Sequence, residues 1–465
     1  MTPPTPTTPP APTAGTGAAR RWTPTSAALV LGGMWGLAAL GSASTSVVLG
    51  DLAADLGLGT AATAWVFTVF ALGFAAATPV FGRVADALGP RTPYVVGTGL
   101  LALGAVLSAA ASTLPLLLAG RAVQGVGAGA IPVLATMILS ARFSSEDRAI
   151  ALGRTNSLVV MLSSAGPLLG GVLGAVGGWR PPFALPLVAV ALLPAAVRLA
   201  PGRGSGGRVD LRGSALVAAT AAVLLGLVQS LGTGGPAVAA LGLGLPLLVA
   251  ATVLHVRARP DGILPVAVSR SAAVTRAAIG GATMPTLYFA ALVAVPLELS
   301  SRGWTPWENG LLLLPGALAG AAVSFNSAPV LRRLGRRRAA VLGLALAGIG
   351  GLVSAGIGMW ALLPGVGFVG MAAGYALAQP ALAGTVAAAV DEEFRGAALG
   401  VFTLSFFVGA GLGSALVGGL GDVLGLSGAL GVAATAPLIG VAVLVTARPS
   451  SAWGGPGRRA ATAVR

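Results

Sequence analysis

The chain has no cysteine and no lysine, and only 9% of its 465 residues are charged. The missing cysteine excludes disulfides, thiolate metal sites and a cysteine nucleophile. The missing lysine excludes a Walker A phosphate loop, whose Gly-Lys-Ser/Thr end needs that lysine to reach the terminal phosphates. Transport work would then draw on a gradient or a partner rather than on ATP held in this way. His255 is the one histidine, and the 13 acids are spread thinly. No group of residues has metal or general-base spacing, so the expectation is no enzyme, no metal and no cofactor.

A soluble domain carries roughly a quarter of its residues as charges. Here 55% are hydrophobic, 71 are glycine and the mean hydropathy is +0.89. Such a chain belongs in a bilayer, where about 20 apolar residues cross the ~30 Å hydrocarbon layer. Nearly uncharged runs recur at 25–50, 60–81, 93–112, 114–140, 149–175, 183–198, 214–232, 236–256, 273–299, 308–328, 339–359, 361–389, 396–419 and 427–447. They predict fourteen spans, with no room for a globular domain. The expected organisation is a Pro- and Thr-rich disordered tail (1–24), a six-span half (25–198), a linker with two extra spans (199–272), a second six-span half (273–447) and a closing tail (448–465).

All 28 basic residues are arginine, and when the spans alternate all but Arg121, Arg180 and Arg302 fall on the side of the N-terminus. An excess of arginine marks cytoplasmic loops, which predicts a multi-pass protein of the cell membrane with both termini in the cytoplasm. The net charge of +15 is thereby explained without nucleic acid. The partners expected are lipid, protons and a small-molecule substrate, and the chain is read as a monomer. Trp65, Trp179, Trp304, Trp307 and Trp360 fall at the outer boundary and Trp22 and Tyr94 at the inner one, as an aromatic belt would. The segment Leu88–Ala109 recurs 246 positions later as Leu334–Ala355, with Gly97 on Gly343. Two related halves are the usual construction of gradient-driven transporters.

Three stretches carry chemistry. Gly82-Arg83-Val84-Ala85-Asp86-Ala87-Leu88-Gly89-Pro90-Arg91 sets an acid at a helix end among arginines. Its charge-assisted bonds would have to break when helices part, which makes it a latch, the plain alternative being a polar turn. Arg121 lies about 12 Å into the fourth run, followed by Gln124 and Gly125. A charge at that depth is costly and faces a cavity or partner unless it snorkels outward. The fifth run holds Gly153, Leu162, Gly166, Pro167, Gly170 and Gly171, a face of small residues bent by proline.

These stretches resemble the major facilitator superfamily, and in particular its fourteen-span drug:proton antiporter branch, over about residues 25–450. The family's signature loop is matched at Gly82, Asp86, Gly89 and Arg91, with Ala87 where the family has arginine. Arg121, Gln124 and Gly125 are similar to the pattern associated with proton coupling. Gly153, Gly166, Pro167, Gly170 and Gly171 resemble the antiporter motif, with Leu162 in place of a glycine. Val209–Gly213 and Asn309–Pro315 look like further fragments of the branch. That branch commonly has an acid near the middle of the first span, and the aligned residue here is Gly41, beside the polar run Ser42, Ser44, Thr45 and Ser46.

The resemblance implies an all-α fold of two six-helix halves plus two extra spans. It implies a secondary exporter of a hydrophobic or amphipathic small molecule, such as a drug, antibiotic or secondary metabolite, working by proton antiport. An importer on the same fold and a non-transporting sensor are the alternatives. With Gly41 lacking a carboxyl, the proton carriers expected are Glu298, which follows Pro296 in an apolar run, and Asp51; Glu298 could instead pair with Arg302 at the interface. Cavity candidates are Trp35, Ser42, Ser46, Tyr288, Asn326, Tyr375, Gln379, Phe406 and Phe407.

Overall fold

The computed structural model describes residues 22–201, 210–231, 235–259, 266–391 and 394–446. The closing tail at 448–465, nearly all of the first tail, Val209, Glu392 and Glu393 lie outside the described residues. Among those described, every regular element is helical. Thirteen helices are long and apolar enough to cross a membrane. They are α1 Pro24–Leu56, α2 Thr60–Leu88, α3 Arg91–Ala109, α4 Leu114–Arg142, α5 Glu146–Gly177, α6 Arg180–Leu199 and α7 Arg212–Gln229, followed by α8 Pro236–Ala258, α9 Ala272–Ser301, α10 Pro306–Phe325, α11 Arg336–Gly358, α12 Leu363–Ala388 and the last, Arg395–Val445. A straight helix of that last length, 51 residues, would run about 76 Å, over twice the apolar layer. Gly425 breaks it with φ 72° and ψ 163°, a conformation open to glycine, and leaves α13 at 395–424 and α14 at 426–445.

The internal repeat has a structural counterpart. Gly89 ends α2 at φ 84° and ψ 154°. Gly335, 246 positions on, precedes α11 at φ 76° and ψ 155°. Both turns need a residue without Cβ. The helices that follow also pack alike. Gly97 and Gly104 bring α3 onto Ala130 and Gln124 of α4, and Gly343 and Gly350 bring α11 onto α12. A methyl at Gly343 would lie 2.6 Å from the Gly374 carbonyl and 2.8 Å from the Ala378 nitrogen. Glycine thus sets the helix separation, as it does where lipid supplies no hydrophobic drive for association.

The two halves meet on the side away from the arginines. There Gly171 of α5 faces the Pro306 carbonyl, where a methyl would lie 2.7 Å away, and Gly310 of α10 faces the Pro167 carbonyl at the same distance. Asn309 Nδ2 donates to Ser300 Oγ at 3.4 Å nearby. The extra helix α7 is keyed to both halves: Thr68 Oγ1 of α2 meets Ser414 Oγ of α13 at 2.9 Å and donates to Gln229 Oε1 of α7 at 3.3 Å. Gln229 Nε2 in turn donates to the Ala61 carbonyl at 2.9 Å. By contrast α8 has no buried residue and leans on α7, with Thr220 and Thr252 3.0 Å apart. Two belt assignments need correction. Trp179 is buried, donating its indole N–H to Asp55 at 2.8 Å, and Tyr94 is buried in the core of the first half.

Candidate functional site

A cavity of ≈ 380 Å³ lies between the halves. Its walls come from α1, α2, α4 and α5 on one side and from α9, α10, α12 and α13 on the other. On the arginine side it runs out to Gly396, the second residue of α13, which is exposed. In the other direction it stops well short of the helix ends, at Phe70, Leu292, Ala317 and Ala372. It is therefore open towards the arginine side and closed by the contacts at Gly171 and Gly310 on the other.

Trp35, Ser42, Tyr288, Tyr375, Gln379, Phe406 and Phe407, named from the sequence, all line it. Ser46 and Asn326 do not. Ser46 is buried and donates to the Ala43 carbonyl at 2.8 Å. Asn326 caps the C-terminus of α10 on the exposed arginine side, donating to the Ala322 carbonyl at 2.9 Å. Among the described residues no Asp, Glu, Arg or His lines the cavity.

Eight aromatic side chains form a circuit around this space. Phe70 and Phe74 of α2 are 6.3 Å apart between ring centroids, and Phe74 stacks on Phe407 of α13. Phe407 meets Phe406 at 4.9 Å, Phe406 meets Tyr375 of α12 at 6.1 Å, and Tyr375 stacks on Tyr288 of α9 at 5.9 Å. Tyr288 leads to Phe289 at 6.0 Å, and Phe289 returns to Phe67 of α2 at 6.3 Å. Arg121 closes the circuit, its guanidinium carbon 4.3 Å from the Phe70 centroid and 5.6 Å from that of Phe67. Phe67, Phe70, Phe74 and Phe289 were not among the residues singled out from the sequence. The signal was present as spacing, since positions 67, 70 and 74 share one face of a helix.

Arg121 is fully buried and does not snorkel. Its Nε donates to the Val66 carbonyl at 3.0 Å and its Nη1 to Gln124 Oε1 at 2.6 Å. Nη2 is buried without a hydrogen-bond partner among the described residues. The planar fork thus ties α4 to α2, with Phe70 standing between the charge and the cavity.

Gly41 has a packing reason. A Cβ there would collide with the ring of Pro186 in α6, so no side chain fits at this position. The antiporter-motif residues divide. Gly166 and Gly170 pack on Leu40, Ala43 and Ser44 of α1, Pro167 is buried beside them, and Gly171 reaches α10. Gly153 departs from the expectation of a packed face: a Cβ there would meet open space within 4 Å. Leu162, at a glycine position of the motif, fits over Gly36 of α1, where a methyl would lie 2.6 Å from Leu162 Cδ1.

Gly82, Arg83, Asp86, Gly89 and Arg91, expected to form either a latch or a polar turn, lie at the arginine-side turn between α2 and α3, where Arg83 Nη1 is 4.0 Å from Asp86 Oδ2 within one helix. Glu298 takes the ion-paired arrangement that the sequence also allowed. It pairs with Arg302 one turn on, accepting from Nη2 at 2.6 Å and Nε at 3.1 Å, outside the cavity and a quarter exposed (23%). Asp51 is half-buried in α1, also outside the cavity. His255, the one histidine, has its Nε2 3.1 Å from both carboxyl oxygens of Asp210, which caps α7 by accepting from the Gly213 N–H at 3.0 Å.

A sequence profile of the Major Facilitator Superfamily matches residues 31–353 and 277–464. The chain is 28% identical over 368 residues to the Multidrug resistance protein Stp of Mycobacterium tuberculosis, covering 76% of this chain and 68% of that one. It is 26% identical over 368 residues to the Methylenomycin A resistance protein of Streptomyces coelicolor, covering 76% of each. The fold is similar to that of the human organic anion transporter MFSD10 (TETRAN), with TM-score 0.62, 16% identity and coverage of 90% of this chain and 99% of that one. It is also similar to a peptide transporter POT, with TM-score 0.66, 15% identity and coverage of 90% and 94%.

Proposed function

The chain belongs to the major facilitator superfamily, and on that footing we propose that it exports a hydrophobic or amphipathic small molecule across the cell membrane at the expense of the proton gradient. Its relatives with drug- and antibiotic-resistance names support export. The observation that carries the reading is the aromatic cavity between the halves, open on one side only. With the arginine side in the cytoplasm, as the excess of arginine indicates, the mouth faces the compartment from which an exporter loads. Rocking of one half on the other would then present the cavity to the outside.

Proton coupling takes a particular form here. No acid among the described residues lines the cavity, so proton and substrate do not compete for one carboxylate inside it. Asp51 and Glu298 lie towards the closed side, where the halves meet, and exchange of a proton there would act on the closure rather than on the substrate. Arg121, hydrogen-bonded to Gln124 within α4 and to the Val66 carbonyl of α2, would couple the movement of these two helices rather than carry the proton. The test is accumulation of candidate drugs by a drug-sensitive host expressing the chain, with and without a proton uncoupler. We expect reduced accumulation that the uncoupler abolishes, and loss of coupling in Asp51→Asn. Accumulation unaffected by the uncoupler would refute the gradient as energy source.

A further inference from the structure

We infer that the cavity selects aromatic molecules that are uncharged or anionic, and discriminates against organic cations. This inference names the substrate class of the exporter proposed above and rests on that reading.

The aromatic circuit supplies stacking faces on both halves, so recognition of rings is built into the wall. Aromatic faces by themselves also attract cations. The sign of the charge behind the faces decides between these possibilities. A site for cations would set a carboxylate in or just behind its wall, and among the described residues none lines this cavity. The charge that stands behind the wall is the Arg121 guanidinium, 4.3 Å from the centroid of Phe70, whose ring is itself part of the lining. An arginine keeps its proton in proteins. The polar partners given to it, the Val66 carbonyl and Gln124 Oε1, are neutral, and it forms no ion pair among the described residues. The Phe70 and Phe67 faces are thus already engaged by a resident cation.

At a separation of ~8 Å and an effective dielectric of ~20, a unit charge in the cavity would feel this guanidinium by more than tenfold in affinity for either sign. Three hydroxyl-bearing residues complete the picture. Ser42 lies in the lining and its buried Oγ has no hydrogen-bond partner among the described residues, so a turn of the side chain about χ1 would offer a donor to a carbonyl or carboxylate of the substrate. The phenol groups of Tyr288 and Tyr375, also in the lining, are further donors.

Tetraphenylborate and tetraphenylphosphonium are ions of the same shape and opposite charge, and each carries four phenyl rings. Binding of both to the purified full-length protein in detergent, with protein-free micelles subtracted, tests the inference. We expect the borate to bind at least about tenfold more tightly than the phosphonium. In Arg121→Gln that ratio should fall towards unity. Because Arg121→Gln removes a buried tie and the variant could fail to fold, Ser42→Asp provides the second reading: a carboxylate placed in the lining should shift the ratio towards the phosphonium. Equal or tighter binding of the phosphonium by the native chain would overturn the inference, as would binding of neither ion or a ratio unchanged in Ser42→Asp. Failure of the export reading would show differently, as an anion preference intact in the purified protein with no change in drug accumulation by cells.

Discussion

Gly41 shows how much a single missing side chain can mean. An acid at this point would serve proton exchange, yet the residue is pressed against the Pro186 ring, which leaves no volume for any Cβ. Gly41→Ala makes the test, since it adds a methyl and no charge. Alanine in a helix interior is ordinarily favoured over glycine by about 1 kcal/mol. Overpacking costs about 1–3 kcal/mol, so the balance should turn to net destabilisation. We expect a lower thermal midpoint for Gly41→Ala in detergent and recovery in Gly41→Ala with Pro186→Ala; a midpoint unchanged or raised by the single substitution would refute the packing account. The absence of the acid was legible in the sequence, but the proline packed against the position was not, because 145 residues separate the two. Glu298 has two readings in the sequence, burial among apolar neighbours and a pair with Arg302, and the fold adopts the pair one helical turn on.

Among the helices, hydropathy alone located the spans to within a few residues at most ends, since each must bury or present to lipid a whole apolar length. The break at Gly425 was also readable, because the apolar run beyond 419 is interrupted by Gly421, Asp422 and Gly425. Which faces pack was less accessible. Gly36 and Leu162 belong to different helices, and only the fold sets one over the other. Gly36→Ala and Leu162→Ala should each destabilise, the first by overpacking and the second by leaving a void. Together they should cost less than their sum, with a coupling of about 0.5–3 kcal/mol. Strict additivity in thermal or denaturant unfolding would show that the two residues do not interlock. The role of α7 was hidden in the same way. It read as part of a linker, and its Gln229 and Leu225 instead sit against glycines of α13, Gly418 and Gly411.

Taken whole, the molecule offers a direct test of rocking. Thr68 and Ser414 stand on different halves with their hydroxyl oxygens 2.9 Å apart, on the closed side of the cavity. The chain has no native cysteine to interfere. In Thr68→Cys with Ser414→Cys, oxidation should join α2 to α13 and hold that side shut. We expect drug export to be lost on oxidation, regained on reduction, and unaffected by oxidant in either single variant. Full export with the cross-link formed would mean that these helices do not separate during transport.

The aromatic circuit crosses from one half to the other at two joints, Phe74 with Phe407 and Phe67 with Phe289. It is a bracelet with two clasps. If the halves are to part on the closed side, these clasps must slide or open, and aromatic pairs are worth about 0.5–1.5 kcal/mol each beyond the area they bury. Two of them weight the empty protein towards the present shape by roughly 5- to 160-fold. A ring-bearing molecule lodged inside touches both arms of the bracelet and can replace at each clasp the contact that rocking removes. Cargo would then be the pin that frees the hinge, and an exporter so built turns over slowly when it has nothing to carry.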